Sequence, residues 1–215
     1  MTEASLRITE IFHSLQGEAR DCGAPTVFVR LTGCPLRCSY CDSAYAFYGG
    51  SKILISDILA KVAKFGARYV CVTGGEPLAQ KPCRDLMHQL CDAGYVVSLE
   101  TSGALEIGDI DPRVSRVMDL KTPDSKEAHR NRWENLALLT RHDQLKFVLC
   151  SRADYDWAKT MLAEHALANR CVVWFSPSFG QLEPRELAEW ILQDRLEVRL
   201  QLQLHKSLWG DLPGK

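Results

Sequence analysis

Thr26-Val27-Phe28-Val29-Arg30-Leu31-Thr32-Gly33-Cys34-Pro35-Leu36-Arg37-Cys38-Ser39-Tyr40-Cys41 is a β-branched, apolar run that leads straight into a loop carrying three thiols. The run reads as a buried strand, and Thr32-Gly33 ends it. The cysteines therefore sit at the C-terminal end of a strand, where parallel α/β folds build their sites. Three thiols this close in sequence can close round one inorganic centre. Three readings are open: unrelated buried cysteines acting as small hydrophobes, a structural zinc site with His13 or Cys22 as fourth ligand, or a four-iron, four-sulfur cluster. Such a cluster takes one thiolate per iron, so three thiolates leave one iron open to a substrate or cofactor.

Outward from this stretch the chain alternates strand and helix. Residues 6–12 alternate apolar and polar as a strand, and His13 to Glu18 reads as a polar loop. Strands are also expected at 69–73, 95–99, 114–120, 145–149, 172–175 and 198–204. Helices are expected at 53–65, 85–93, 133–140, 153–168 and 184–193, with Gly66 and Gly94 as stops and Pro184 near a start. Alternation of this kind implies a mainly parallel sheet with right-handed crossovers. The strands after residue 25 are too few to close an eight-fold barrel of about 250 residues. An open, partial TIM-like α/β barrel fits better.

The 215 residues suit one domain, 1–215, with a sizeable core, and show no repeat or linker. With 26 basic and 27 acidic side chains, no global field favours nucleic acid or a membrane surface. No apolar stretch is long enough to span a bilayer, and Met1 to Ser5 lacks a signal-peptide character. A cytoplasmic location is expected. The 9 cysteines are an odd number without a secretion signal, which favours reduced thiols over disulfides. Cys71, Cys83, Cys91, Cys150 and Cys171 lie in apolar strand or helix patterns and read as core filler.

Other expected strand ends carry polar groups. Thr73-Gly74-Gly75-Glu76-Pro77 has paired glycines that let backbone approach a ligand closely, and a carboxylate acceptor in Glu76. Glu100-Thr101-Ser102-Gly103 and Asp119-Leu120-Lys121 end the next two strands, while Gln144 and Lys146 bracket the start of the fifth. Each could be a solvated strand end, but the place of the first two on the same rim as the thiols favours cofactor contacts. Asp42-Ser43 follows the last thiol, and a hard oxygen there suits Mg²⁺, which keeps most of its waters.

The Cys34–Cys38–Cys41 spacing, with aromatic Tyr40 before the last thiol, resembles the cysteine loop of the radical S-adenosylmethionine enzymes. The resemblance implies a partial TIM-like barrel, here with reduced helices. It implies a [4Fe-4S] cluster on Cys34, Cys38 and Cys41, with S-adenosylmethionine chelated to the open iron. In that family an electron breaks the sulfonium C–S bond, and the resulting 5′-deoxyadenosyl radical takes a hydrogen atom from substrate. Cofactor contacts are implied at Tyr40, Cys41, Asp42, Gly75, Asp119, Leu120 and Lys121, and also at Gln144 and Lys146.

Ile11 to Glu18, Phe28 to Cys34, Asn131 to Asn135 and Leu202 to Lys206 are similar to one branch of that family. Its members contract 6-carboxy-5,6,7,8-tetrahydropterin to 7-carboxy-7-deazaguanine with loss of ammonia, on the route to queuosine-type deazapurines. That branch implies a carbon–nitrogen lyase with Mg²⁺ on Ser43, where many relatives have Thr. Leu15, Gln16, Gly17, Thr73, Gln203 and His205 are implied pterin contacts, and Arg30 the partner of the substrate carboxylate. Ala19 departs from a glycine common in the branch, which makes its loop stiffer. A flavodoxin- or ferredoxin-type electron donor, a homodimer and a C-terminal end closing over substrate are further implications. A glycyl-radical activase would share the thiol loop and Asp-Leu-Lys, and a zinc-stabilised binding module would share only the thiols.

Overall fold

Val27, Val29 and Leu31 are fully buried on one face of their strand, while Phe28 and Arg30 turn to the opposite face and line an internal cavity. That two-sided burial makes the run read as continuously apolar, as parallel strands covered by helices do. The computed structural model describes residues 3–210 with Leu212 and Gly214. Its strands are β1 (Ser5–Leu15), β2 (Pro25–Leu31), β3 (Ser51–Leu54), β4 (Tyr69–Gly74), β5 (Val96–Thr101), β6 (Ser115–Asp119), β7 (Gln144–Leu149), β8 (Val172–Pro177) and β9 (Arg199–Leu200). They form one 9-stranded sheet in the order β3-β1-β2-β4-β5-β6-β7-β8-β9. From β2 to β9 every neighbouring pair is parallel, whereas β1 runs antiparallel to both β2 and β3. The sheet is open, with β3 and β9 as its edges, and so is a partial barrel.

The helices that cover it are few. In α1 (Ile55–Ala63) the buried residues are Ile55, Ile58 and Val62, and in α2 (Cys83–Asp92) they are Cys83, Leu86, Met87, Leu90 and Cys91. Both sets follow the i, i+3, i+4, i+7 spacing of one helical face. The Ser151 hydroxyl accepts the Asp154 N–H at the start of α3 (Arg152–Glu164), and Pro184 opens α4 (Pro184–Asp194). Between β6 and β7 the helical elements are 3₁₀ turns, at Pro123–Ser125, Ala128–Arg130 and Trp133–Leu138, so the expected helix over 133–140 is shorter and tighter.

Three expectations need correction at the antiparallel and C-terminal ends. β1 continues through His13-Ser14-Leu15, where a loop was expected, because pairing with β2 carries it to Leu15↔Pro25. β3 is a strand that the sequence pattern does not announce. The last strand shrinks to Arg199–Leu200, and Leu204–Trp209 forms a short helix, α5, so Gln203 caps a helix and His205 lies in it. Cys71, Cys83, Cys91 and Cys171 are buried as core filler, while Cys150 is only half-buried. No helix among the described residues is long and apolar enough to cross a membrane.

Ala19 adopts φ 62° and is buried, its N–H donating to Gln201 Oε1 at 2.6 Å. A Cβ in the left-handed region costs roughly 1–2 kcal/mol. Ala19→Gly is therefore expected to stabilise the fold by about 1 kcal/mol, read as a higher urea midpoint at unchanged slope. A lower midpoint would show that the Ala19 methyl packs better than it strains.

Candidate functional site

The C-terminal ends of the parallel strands and the loops after them enclose a cavity of about 930 Å³. Cys34, Cys38 and Cys41 all line it. Neither His13 nor Cys22 does. His13 sits with its ring 5.8 Å from Phe65, and the exposed Cys22 thiol faces the Gly17 carbonyl. Among the described residues no three His, Cys, Asp or Glu side chains converge on a single ion. The thiol set thus does not make a closed tetrahedral zinc site, but it suits a cage that takes one thiolate per iron and keeps a corner bare. Burial pushes the Cys34 and Cys38 thiols up, so they favour the neutral form until iron draws the thiolates out.

The glycine motif packs directly against this loop. A Cβ on Gly75 would stand 2.2 Å from the Gly33 carbonyl oxygen and 3.0 Å from Cys34 Cβ, so only glycine permits the approach. Glu76, read from sequence as an acceptor toward a ligand, instead turns inward. Its fully buried carboxylate accepts from Thr101 Oγ1, from the N–H and hydroxyl of Ser102, and from the Leu78 N–H. It clamps the ends of β4 and β5 together beneath Gly75.

Across the cavity floor runs a chain of buried ions. Lys121 Nζ donates to Asp119 Oδ2 at 2.7 Å, and Lys146 Nζ reaches Asp119 Oδ1 at 3.3 Å and Glu18 Oε2 at 2.7 Å. Glu18 also accepts from the side-chain amides of Gln201 and Gln203, both at 2.9 Å. Burial alone would raise both carboxyls, but Lys146 pulls Glu18 down, and Lys121 with Lys146 pull Asp119 down. The two ammoniums are correspondingly held above their usual range, chiefly by Asp119 against the cost of burial. Glu100, which accepts the Thr73 hydroxyl at 2.8 Å, behaves oppositely: burial raises it.

Leu15, Gln16, Gly17, Arg30, Thr73, Gln203 and His205 line the same cavity as the thiols, as do Tyr40, Asp42, Ser43, Gly75, Asp119, Lys121 and Lys146. The His205 ring lies where a Gly17 Cβ would be, its Nδ1 only 2.2 Å from that position. Arg30 Nε bonds Glu10 Oε1 at 2.7 Å, and the same oxygen accepts the Tyr45 hydroxyl at 2.8 Å. Two expected contacts fall elsewhere. The Leu120 side chain, 2 % exposed, faces the apolar core, and its N–H is used by the Lys146 carbonyl. Gln144 lies at the start of β7, the far end of a parallel strand, where it bonds the Arg20 N–H and the Trp174 indole. Glu100 lines the cavity, as its place on the thiol rim predicts, and so do Glu10 and Glu18, which were not singled out as contacts. Their signal was a charge beside a strand end, which usually means solvent.

An open parallel barrel with three thiols on the loop after its first parallel strand defines a radical S-adenosylmethionine enzyme, and a model of the Radical SAM superfamily matches residues 28–121. A curated 7-carboxy-7-deazaguanine synthase of Chlorobaculum tepidum is 48% identical over 97% of this chain and 96% of its own length. One from Koribacter versatilis is 43% identical over 95% and 97%. The chain belongs to the 7-carboxy-7-deazaguanine synthase family. In fold it is similar to the crystal structure of QueE from Escherichia coli, with a TM-score of 0.77 at 24% identity over 93% of this chain and 94% of that one.

Proposed function

We propose that this chain is a carbon–nitrogen lyase that contracts 6-carboxy-5,6,7,8-tetrahydropterin to 7-carboxy-7-deazaguanine and releases ammonia, in queuosine-type 7-deazapurine biosynthesis. The observation that carries the reading is the single cavity lined by the three thiols and by Arg30 with Leu15-Gln16-Gly17. Cys34, Cys38 and Cys41 would hold the [4Fe-4S] cluster, with Tyr40, Asp42, Gly75, Asp119, Lys121 and Lys146 around S-adenosylmethionine. Together these groups supply, when bound, a carbon radical able to take a hydrogen atom from the pterin.

The side chains do the rest. Arg30 grips the substrate carboxylate through parallel N–H···O bonds, exchanging part of its hold on Glu10. Thr73, Gln203 and His205 fix the pterin, and the Glu18–Lys146 pair holds Gln203 in place. Holding one carbon against the attacking centre and keeping water and stray hydrogen donors out is the protein's contribution to rate. Ser43 would present its hydroxyl to Mg²⁺, which steadies the carboxylate. The whole of 1–215 acts as one domain, as a cytoplasmic homodimer supplied by a flavodoxin- or ferredoxin-type donor.

An anaerobic assay with the tetrahydropterin, S-adenosylmethionine, Mg²⁺ and dithionite should yield the deazapurine, and its absence from cluster-loaded protein would refute the reading. Arg30→Ala should lose about 10–100-fold in pterin affinity, the worth of a charge-assisted bond, while still cleaving S-adenosylmethionine with dithionite. Unchanged affinity would remove Arg30 from the substrate site.

A further inference from the structure

A second hollow lies at the opposite end of the sheet from the thiols. Its wall forms where the chain enters three neighbouring parallel strands. Arg141 precedes β7, Asn169, Arg170 and Cys171 precede β8, and Glu197 comes just before Arg199 at the start of β9. The hollow holds about 620 Å³, within the span of small-molecule sites.

Three arginines line it, and among the described residues none of them forms an ion pair, not even with Glu197 on the same wall. The Arg141 side chain makes no hydrogen bond among those residues either. Arg199 holds its guanidinium 5.5 Å from the ring centroid of buried Trp174. Arg170 Nε donates to the His165 carbonyl at 3.2 Å and one terminal nitrogen to the Leu136 carbonyl at 3.4 Å, which leaves the other terminal nitrogen unused. A fourth cation stands behind them. The Arg20 guanidinium donates to the His142 carbonyl at 3.2 Å and the Arg141 carbonyl at 3.3 Å, and so braces the turn that presents Arg141. Burial pushes the Cys171 thiol up to about 11, and the charges of Arg170 and Arg20 pull against that rise, so both cations are felt at the wall.

Three lining cations against one carboxylate leave a surplus of two positive charges. That surplus complements a phosphate monoester, which carries about −1.5 to −2 near pH 7. Guanidinium forks match phosphate oxygens, and two of these are already propped on a ring or on carbonyls, so less freedom is lost on binding. A phosphate alone would fill a small part of the hollow, which leaves room for the group that carries it. Nucleic acid is disfavoured as the source, since the chain has a net charge of -1 and these cations are gathered in a concavity.

We propose that this hollow is a binding site for a small phosphomonoester of the nucleoside 5′-monophosphate kind, gripped by Arg141, Arg170 and Arg199. It stands apart from the thiol cavity and does not depend on the reaction proposed there. The test is calorimetric titration of the anaerobically purified protein with adenosine 5′-monophosphate, S-adenosylmethionine being present to fill the thiol cavity. The nucleotide should bind and adenosine should not, and added salt should weaken the binding. Arg141→Gln combined with Arg199→Gln should cost about 10–100-fold in affinity, as for charge-assisted bonds. Arg185→Gln, at a side chain 90% exposed on α4, should change nothing. If the double variant folds poorly, Arg141→Gln alone removes no hydrogen bond and should still cost about tenfold. Inorganic phosphate binding as tightly as the nucleotide would keep the site and make the free ion its ligand. No binding at millimolar nucleotide, equal affinity in the arginine variants, adenosine binding as well as its phosphate, or single-stranded RNA binding without the mononucleotide would each overturn the assignment.

Discussion

Cys38→Ala should give colourless protein that, prepared without oxygen, holds no stoichiometric iron or acid-labile sulfide, neither cleaves S-adenosylmethionine nor forms product, and still folds. Each thiolate anchors one iron, so removing one of three leaves a cage tied at two corners and a second bare iron. No side chain stands ready to substitute. Among the described residues no other cysteine lines the cavity, and the Ser43 hydroxyl stands 3.8 Å from the Cys41 sulfur. Cys38 is half-buried on a loop, and the bond from the Cys41 N–H to its carbonyl does not involve the side chain, so stability should change by no more than about 1 kcal/mol. Cys71→Ala is the control: its thiol is wholly buried on β4 and does not line the cavity, and that variant should lose a little stability and keep its colour. A Cys38→Ala protein that assembled a cluster and turned over would mean that the three thiols are not the anchor.

The parts of this site that the sequence discloses are those dictated by local chemistry. Thiol spacing, the glycines of Thr73-Gly74-Gly75 and the doubly buried apolar runs each need no partner from far along the chain to be recognised. Hence the parallel strands and the cluster loop were legible. β3 was not, since four residues after Gly49-Gly50 become a strand only by pairing Ser5–Ile8 with Ser51–Leu54. Nor was the extension of β1 through His13 and Ser14, where polar residues face a rim and not a core.

Gln144 and Lys146 show how strand direction sorts neighbours. Gln144 is buried and Lys146 half-buried on β7, but only the second is far enough toward the C-terminal end to meet the cavity. The first stitches β7 to Arg20 and Trp174 at the opposite end. Glu18 escaped for a related reason. A charged residue next to a strand end suggests water, and nothing local reveals that Glu18 will meet Lys146 across 128 positions of sequence. Glycine 17 was legible as part of a motif, whereas the ring of His205 that requires it was not.

That hidden ion chain supports the second large expectation, that Lys146→Met destabilises the fold by about 3–5 kcal/mol near neutral pH and steepens the gain of stability from pH 7 toward 5. Among the described residues Lys146 is the only cation bonded to Glu18 and the second one on Asp119, and its charge also lowers Glu100. Replacing it with an apolar chain of similar length keeps the packing and strands the carboxylates. In the wild type the folded values of Glu18 and Asp119 lie below their ordinary ones. Their stabilisation is therefore complete above the usual carboxylate range near 4 and is lost as acid carries the pH through the lower folded values. From pH 7 to 5 that contribution is flat, with only Glu100, raised by burial, adding some stability toward acid. In the variant burial dominates at Glu18 and Glu100, both folded values rise above the unfolded ones, and stability increases as pH falls from 7 toward 5. Urea titrations of both proteins across that interval read the sign directly. Because Glu18 orients Gln203 and, through Gln201, the Ala19 turn, pterin affinity should weaken along with stability and recover least at the high-pH end. A variant losing under about 1 kcal/mol, or showing the wild-type slope, would mean that water already compensates these charges and that the chain of ions does not hold the substrate side of the cavity together.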